Sequence, residues 1–320
     1  MSYIPPPGLR NRHINTILGS NGPRKLLIKH RSRLLRKNAR EVLLNCREGV
    51  RLHGEYSANS TPSRGLVILI HGWEGSSTSS YLLSTASYLY AKGYCIFRLH
   101  LRDHGPSHHL NSQPFLAIRL NEVLEAIEQI QEQFPYDKNY LVGYSLGGNI
   151  AARVAANIDQ RPIQLDQVVS VCPPIDPLKA GEAIRDSFIY NRYFVSKWQK
   201  SFRKKLKYFP EHKSNTDVFQ HSNIISLHEA FIPRYCSHSN ANSYFRSYRL
   251  DHHVLQKMDV PCHLILAEDD PVAPIESITY LPILDKLSVE TTPYGGHCGF
   301  LKNYKLHAWI DERIEELFRH

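Results

Sequence analysis

The chain has no run of about 18 or more apolar residues, which excludes a transmembrane helix, and residues 1–7 contain no apolar signal core. A cytoplasmic protein is expected, with contact to the inner face of a membrane as its one variation. The six cysteines, Cys46, Cys95, Cys172, Cys236, Cys262 and Cys298, include no C-x-x-C pair. Most fall in strand-like runs, where a free thiol behaves as a small hydrophobe, so neither disulfides nor a cysteine metal site is expected. His108-His109 and His252-His253 lie in loop-like stretches without carboxylates at ligand spacing, and solvent-facing side chains are the expectation. There is no internal repeat, and no metal or organic cofactor is implied.

Acid is missing from one region. Residues 1–40 contain no Asp or Glu but ten Lys and Arg, leaving 29 of the 39 basic residues against all 30 acidic ones elsewhere. The formal net charge of +9 is therefore local. Between positions 24 and 37, Leu26, Leu27, Ile28, Leu34 and Leu35 alternate with the cations. Residues 24–40 thus admit a basic amphipathic face lying on anionic lipid, against the plainer reading of a solvated surface. A second cluster, Lys197, Lys200, Arg203, Lys204, Lys205 and Lys207, lies later in the chain. Nucleic acid is not an expected partner, because no recognisable nucleic-acid module accompanies the charge.

What is present points to chemistry. Gly143-Tyr144-Ser145-Leu146-Gly147-Gly148-Asn149 follows the apolar run Tyr140-Leu141-Val142 and leads into a helix-like stretch over 150–156. This is a G-x-S-x-G elbow in a strand–turn–helix setting, which would hold Ser145 exposed in a strained turn at a helix N-terminus. A serine hydroxyl is a weak nucleophile until a histidine takes its proton and a carboxylate orients that histidine. Downstream, the run 262–266 leads into Glu268-Asp269-Asp270-Pro271, and the run 287–292 leads into Gly295-Gly296-His297-Cys298-Gly299-Phe300. The order Ser, Asp, His is that of α/β-hydrolases. Upstream, Leu66–Ile70 ends in His71-Gly72-Trp73-Glu74-Gly75-Ser76-Ser77, where such enzymes keep one oxyanion donor. Trp73 N–H and Leu146 N–H are the candidate pair.

These motifs resemble the YheT-like branch of the α/β-hydrolase superfamily, which is similar to abhydrolase-domain phospholipases and to yeast medium-chain ester synthases/esterases. The resemblance spans nearly the whole chain, from Asn11-Arg12-His13-Ile14-Asn15-Thr16-Ile17-Leu18, similar to that branch's N-x-H-x-x-T-I, to the 295–300 turn. It implies Ser145 as nucleophile and His297 as base, with the acid in Asp269-Asp270. After the run 94–99, however, the branch's Asn-x-Arg-Gly turn is replaced by His100-Leu101-Arg102-Asp103-His104-Gly105-Pro106-Ser107, which looks more like the R-x-H-G-x-S turn of general α/β-hydrolases. For the acid, the strand-end pattern of a small residue followed by Asp three positions on points from Ala267 to Asp270, with Asp269 as the alternate.

The expected fold is an α/β-hydrolase fold with a mostly parallel central sheet, helices on both faces and an inserted helical cap. Residues 1–40 form the basic segment, 41–175 and 256–320 the core, and 176–255 the cap, since the strand–helix alternation breaks for too long to be a plain connection. The cap's aromatics, Phe188, Tyr190, Tyr193, Phe194, Trp198, Phe202, Tyr208, Phe209, Phe231, Tyr235, Tyr244 and Phe245, suit either its own core or the roof of an acyl pocket. Leu120, Val123, Leu124, Ile127, Ile130 and Phe134 predict one core-facing helix stripe, with Glu122, Glu125, Glu128 and Glu132 turned away. Leu306, Trp309, Ile310, Ile314 and Leu317 predict another. The functional expectation is a serine hydrolase cleaving carboxylic esters with apolar acyl or lipid-like groups through an acyl-enzyme. An acyltransferase or thioesterase on the same triad, and a non-catalytic binding protein on this fold, are the alternatives.

Overall fold

A computed structural model describes residues 3–59, 63–159 and 161–319. Positions 1, 2, 60–62, 160 and 320, which the expected segments include, lie outside the described residues. Among the described residues, eight strands, β1 (Ala39–Asn45), β2 (Arg51–Ser57), β3 (Leu66–Ile70), β4 (Cys95–His100), β5 (Asn139–Tyr144), β6 (Gln167–Val171), β7 (Cys262–Ala267) and β8 (Leu287–Thr292), form one sheet. Their spatial order is β1-β2-β4-β3-β5-β6-β7-β8. The pairings from β4 through β8 are parallel, whereas β1 and β2 add an antiparallel edge. The central β3 is buried at every residue, as a strand covered on both faces must be. Leu66, Ile68 and Ile70 join the core on one face, and Val67 and Leu69 the core on the other.

Among the described residues, twelve α-helices accompany the sheet: α1 (Arg12–Ser20), α2 (Pro23–Arg31), α3 (Arg33–Lys37), α4 (Ser80–Ala91), α5 (Leu120–Gln133), α6 (Leu146–Ala155), α7 (Pro177–Asp186), α8 (Phe188–Tyr208), α9 (Ile224–Phe231), α10 (Ala241–Arg246), α11 (His252–Leu255) and α12 (Trp309–Leu317). Side chains of α5 and α6 pack into one core, and those of α4 and α12 into the other. The stretch between β6 and β7 carries α7 to α11. Asp176 starts it by accepting from the Leu178 and Lys179 N–H groups, an N-cap preceding Pro177. The rings of Trp198, Phe202 and Phe231 then pack at centroid separations of 5.0–5.5 Å.

The acid-free N-terminal stretch folds against this body. Asn11 caps α1 by accepting from His13 N–H and Ile14 N–H. Arg24, a cation read as surface charge, is buried and donates to the carbonyls of Gly19 and Leu306 and to Ser84 Oγ. Ile28 and Leu35 enter the core, while Leu26, Leu27 and Leu34 stay exposed. Three local expectations are corrected. Glu122 does not turn away from the core: it is buried and pairs with Arg102 at 2.5 Å, because a carboxylate in an apolar surround needs an opposite charge. His108 does not face solvent but lies 2.8 Å from Ser201 Oγ on α8. Cys46, Cys172, Cys236 and Cys298 lie outside strands.

Candidate active site

The chain reverses from β5 into α6 at Ser145, whose φ of 54° and ψ of −122° lie in a region that favours glycine and is strained for a residue with a side chain. Its N–H donates to Val171 O at 2.8 Å. The flanking glycines are steric necessities: a Cβ on Gly143 would stand 2.0 Å from Gly147 O, and one on Gly147 would stand 2.4 Å from Ile70 O. Strand and helix therefore pass close enough to push the serine out at the C-terminal edge of the sheet.

The turns after β7 and β8 meet it there. Ser145 Oγ lies 2.8 Å from His297 Nε2, and His297 Nδ1 lies 2.8 and 3.1 Å from the two Asp270 oxygens. Val272 N–H and Ala273 N–H also donate to Asp270, at 2.8 and 2.9 Å, fixing its carboxylate plane. Asp269 points elsewhere, accepting from Gly296 N–H at 2.8 Å. A proton on Nδ1 held by Asp270 leaves the Nε2 lone pair facing the serine hydroxyl. Burial works against charge on His297, but the Asp270 carboxylate and Cys298 beside it override burial and hold the imidazolium well above its ordinary pKa. Burial raises the Asp269 carboxyl, against the pull of its Gly296 hydrogen bond.

On the other side of Ser145, a Cβ on Gly72 would come within 3.0 Å of the Ser145 Cβ, so the loop after β3 crosses directly over the serine. Trp73 is the next residue of that loop, and Leu146 is the first residue of α6. Neither main-chain N–H has an acceptor among the described residues.

Residues 65–204 match the family model for the alpha/beta hydrolase fold. The chain has that fold. It resembles the YheT-like branch: it is 23% identical to YheT of Escherichia coli (strain K12) over 263 residues, covering 78% of this chain and 75% of that one. A monoacylglycerol lipase of Saccharomyces cerevisiae is 23% identical over 80% of this chain and 59% of its own. Among solved structures, the Pyrococcus furiosus esterase Pf2001 superposes with a TM-score of 0.58 at 14% identity, covering 88% of this chain and 91% of that one.

On this hydrolase fold, two cavities meet at Ser145, and Trp73, Phe194, Val272 and His297 also line both. One, narrow, runs beneath α7 to α10 past Ala180, Gly181, Trp198, Phe231, Tyr244 and Phe245. The other, wider, opens between the N-terminal helices and α8, past Thr16, Ile17, Lys25, Tyr193 and Lys197. Of the aromatics singled out in this region, Phe188, Tyr193 and Tyr208 are exposed, so only part of the set faces the first cavity.

Two features escaped sequence reasoning. The N-terminal helix braces the histidine turn: His297 N–H donates to Thr16 Oγ1 at 2.8 Å, Leu301 N–H donates to Asn15 Oδ1 at 3.2 Å, and Gly19 packs on Gly299. The N-x-H-x-x-T-I likeness marked these residues, but nothing local connects position 16 with position 297. Secondly, donor atoms of Cys172, His297 and Cys298 lie within 4.8 Å of one another, a proximity that the scattered sequence positions do not suggest. The cysteines come from the ends of two different strand–turn units, so no C-x-x-C spacing announces them. Both His297 nitrogens already have protein partners, Asp270 and Ser145, so an ion there would compete with the triad geometry.

Proposed function

We propose that this chain is a serine hydrolase that cleaves carboxylic esters through an acyl-enzyme, with apolar acyl or lipid-like esters as substrates. The observation that carries the reading is the continuous hydrogen-bonded line from Ser145 through His297 to Asp270, with 2.8 Å at each step. In this reading His297 Nε2 takes the Ser145 proton as Oγ attacks the acyl carbon, and Asp270 stabilises the resulting imidazolium. Trp73 N–H and Leu146 N–H, both without acceptors among the described residues, hold the developing oxyanion. Collapse of the tetrahedral intermediate breaks the ester C–O bond, and the imidazolium protonates the departing alcohol. Water then enters, gives its proton to His297 and releases the acid by the same steps in reverse.

The aromatic cavity beneath α7 to α10 suits the acyl chain, and the wider mouth suits the alcohol. Accordingly we treat 176–255 as a cap over a core of 41–175 and 256–320, with 1–40 as a basic segment that also braces the site. The lipase name of the yeast relative agrees with this substrate class. Among the described residues, no helix is long and apolar enough to cross a membrane. The proposed setting is cytoplasmic, with residues 24–40 touching anionic lipid through exposed Leu26, Leu27 and Leu34 and their neighbouring cations. Transfer to an alcohol in place of water, or cleavage of a thioester, would use the same groups.

The test is active-site labelling. A fluorophosphonate should modify the wild type stoichiometrically and leave Ser145→Ala unlabelled at unchanged circular dichroism, and equal labelling of both proteins would refute the assignment. A chain-length series of nitrophenyl esters then reads the acyl preference.

A further inference from the structure

We propose that His104 and His100 are positioning residues for the oxyanion loop: as neutral imidazoles they hold Glu74 N–H and Ser77 N–H, and thereby aim Trp73 N–H at the acyl oxygen. The inference deepens the proposed function and rests on it. It concerns the turn after β4, where the chain departs from the pattern of its resembling branch. Because β4 lies beside β3 in the sheet, with Ile70 opposite Leu99, this turn and the 71–77 loop leave the sheet side by side.

The main-chain N–H groups of the loop have a nearly complete set of acceptors. Gly72 N–H donates to Tyr81 Oη at 3.0 Å, Gly75 N–H to Gly72 O at 2.9 Å, and Ser76 N–H to Ser79 Oγ at 3.0 Å. Glu74 N–H donates to His104 Nε2 and Ser77 N–H to His100 Nε2, each at 2.9 Å. Among residues 72–77, all of them described, Trp73 N–H alone is without an acceptor. Its freedom depends on its neighbour, since Glu74 stands at φ 55°, a left-handed conformation disfavoured for a residue with a side chain.

Hydrogen bonding fixes the tautomers. His104 Nδ1 lies 2.7 Å from Arg102 O, an acceptor only, so Nδ1 carries the proton and Nε2 offers the lone pair. His100 Nε2 must be an acceptor for Ser77 N–H, so its Nδ1 donates to His53 Nδ1 at 2.9 Å. His71 follows the same rule, with Nδ1 donating to Gly72 O at 2.8 Å and Nε2 accepting from Leu101 N–H at 3.2 Å. Three buried imidazoles thus link the turn and the loop in one tautomer, and a proton on any of the three Nε2 atoms would replace an acceptor by a donor facing an N–H. Burial favours the required neutral state, lowering His100 to about 3 and His104 to about 4. Gly105 completes the arrangement: a Cβ there would lie 2.7 Å from His100 Nε2.

The test compares His104→Gln with His104→Asn. The glutamine amide reaches the Nε2 position and its oxygen accepts from Glu74 N–H, whereas asparagine, one methylene shorter, reaches only the Nδ1 position. Removing an oxyanion donor outright lowers kcat by about 10²–10³-fold, so a donor left in place but mis-aimed should cost about 10–100-fold in His104→Asn. KM should stay within about twofold, and affinity for an aryl trifluoromethyl ketone, whose serine adduct carries an oxyanion, should fall in parallel with kcat/KM. His104→Gln should retain kcat within about threefold. Hydrogen exchange of the 72–77 amides, which reads the clamp without reference to turnover, should speed up in the asparagine variant only. Equal exchange and equal kcat in the two variants would overturn the clamp even with Ser145-dependent turnover intact. Loss of Ser145-dependent turnover in the wild type, with the exchange difference present, would instead refute the hydrolase reading and with it the oxyanion role.

Discussion

The two cavities that meet at Ser145 are walled by different parts of the chain. Beneath α7 to α10 the lining is mostly aromatic and aliphatic, while the mouth mixes apolar side chains, among them Ile17, Ile189, Tyr190 and Tyr193, with serines, threonines and lysines from the 72–79 loop, the N-terminal helices and α8. An apolar wall rewards each methylene it removes from water by about 0.8 kcal/mol, a factor of about four in kcat/KM. The polar side chains of the mouth give no such increment. Under the proposed function, the contrast would place acyl selectivity in the insertion and leave the alcohol to the mixed mouth, with Ser145 and His297 common to both.

Changes at the shared groups should therefore move all substrates together, and changes on one wall should move one half of the substrate only. The largest shared effect is expected for Asp270→Asn, which removes the carboxylate from His297 Nδ1 and should lower kcat by about 10⁴-fold for every ester. Asp269→Asn keeps an oxygen for Gly296 N–H and should cost at most about tenfold. Stopped-flow turnover of acetyl and decanoyl esters checks both, and a dependence on acyl length in Asp270→Asn would break the division. On the apolar wall, Gly181→Phe should fill the inner cavity, lowering kcat/KM for decanoyl esters by about 10²-fold through several lost methylene contacts while sparing acetyl esters.

pH sharpens the shared side. Catalysis needs neutral His297, whose pKa is raised, so kcat/KM should fall about tenfold per unit as pH drops below that value, on the alkaline side of 6.5. Asp270→Asn should move this limb to lower pH. For stability the sign is opposite: the charged His297–Asp270 pair stabilises the fold below about 6.5 and that contribution is lost as pH rises through the folded value. The smallest effect belongs to the mouth. Lys25→Glu with Lys197→Glu should weaken co-sedimentation with anionic vesicles by a few-fold at low salt, each cation near a lipid surface contributing up to about 1 kcal/mol. Equal sedimentation with neutral and anionic vesicles would remove lipid from the account.

Much of this site could be read from local pattern. The elbow at Ser145, the strand ends before Asp270 and His297, and the run Leu66–Ile70 each declare themselves within a dozen residues, because period and turn chemistry are short-range. The argument from Ala267 pointed to the carboxylate that now lies against His297. What stayed hidden depends on pairing across the chain. Thr16 under His297, Glu122 against Arg102 and Cys172 beside Cys298 are separated by up to 281 positions, and nothing in their immediate neighbours indicates a partner. The His100–His104 turn was visible as a departure, but its contact with the loop over Ser145 follows only from the adjacency of β3 and β4. The antiparallel edge of β1 and β2 was not anticipated at all. β1 alternates buried Val42 and Leu44 with exposed neighbours, a half-covered strand masked by the basic stretch that precedes it.

Rapid-quench kinetics with a nitrophenyl ester, followed by mass analysis of the trapped protein, test the central claim most directly. An acyl-enzyme through Ser145 predicts a nitrophenol burst equal to the enzyme concentration and an acyl mass increment on the peptide containing Ser145, with both lost in Ser145→Ala. Turnover without a burst and without the adduct, or an acyl group carried on Cys298, would contradict it.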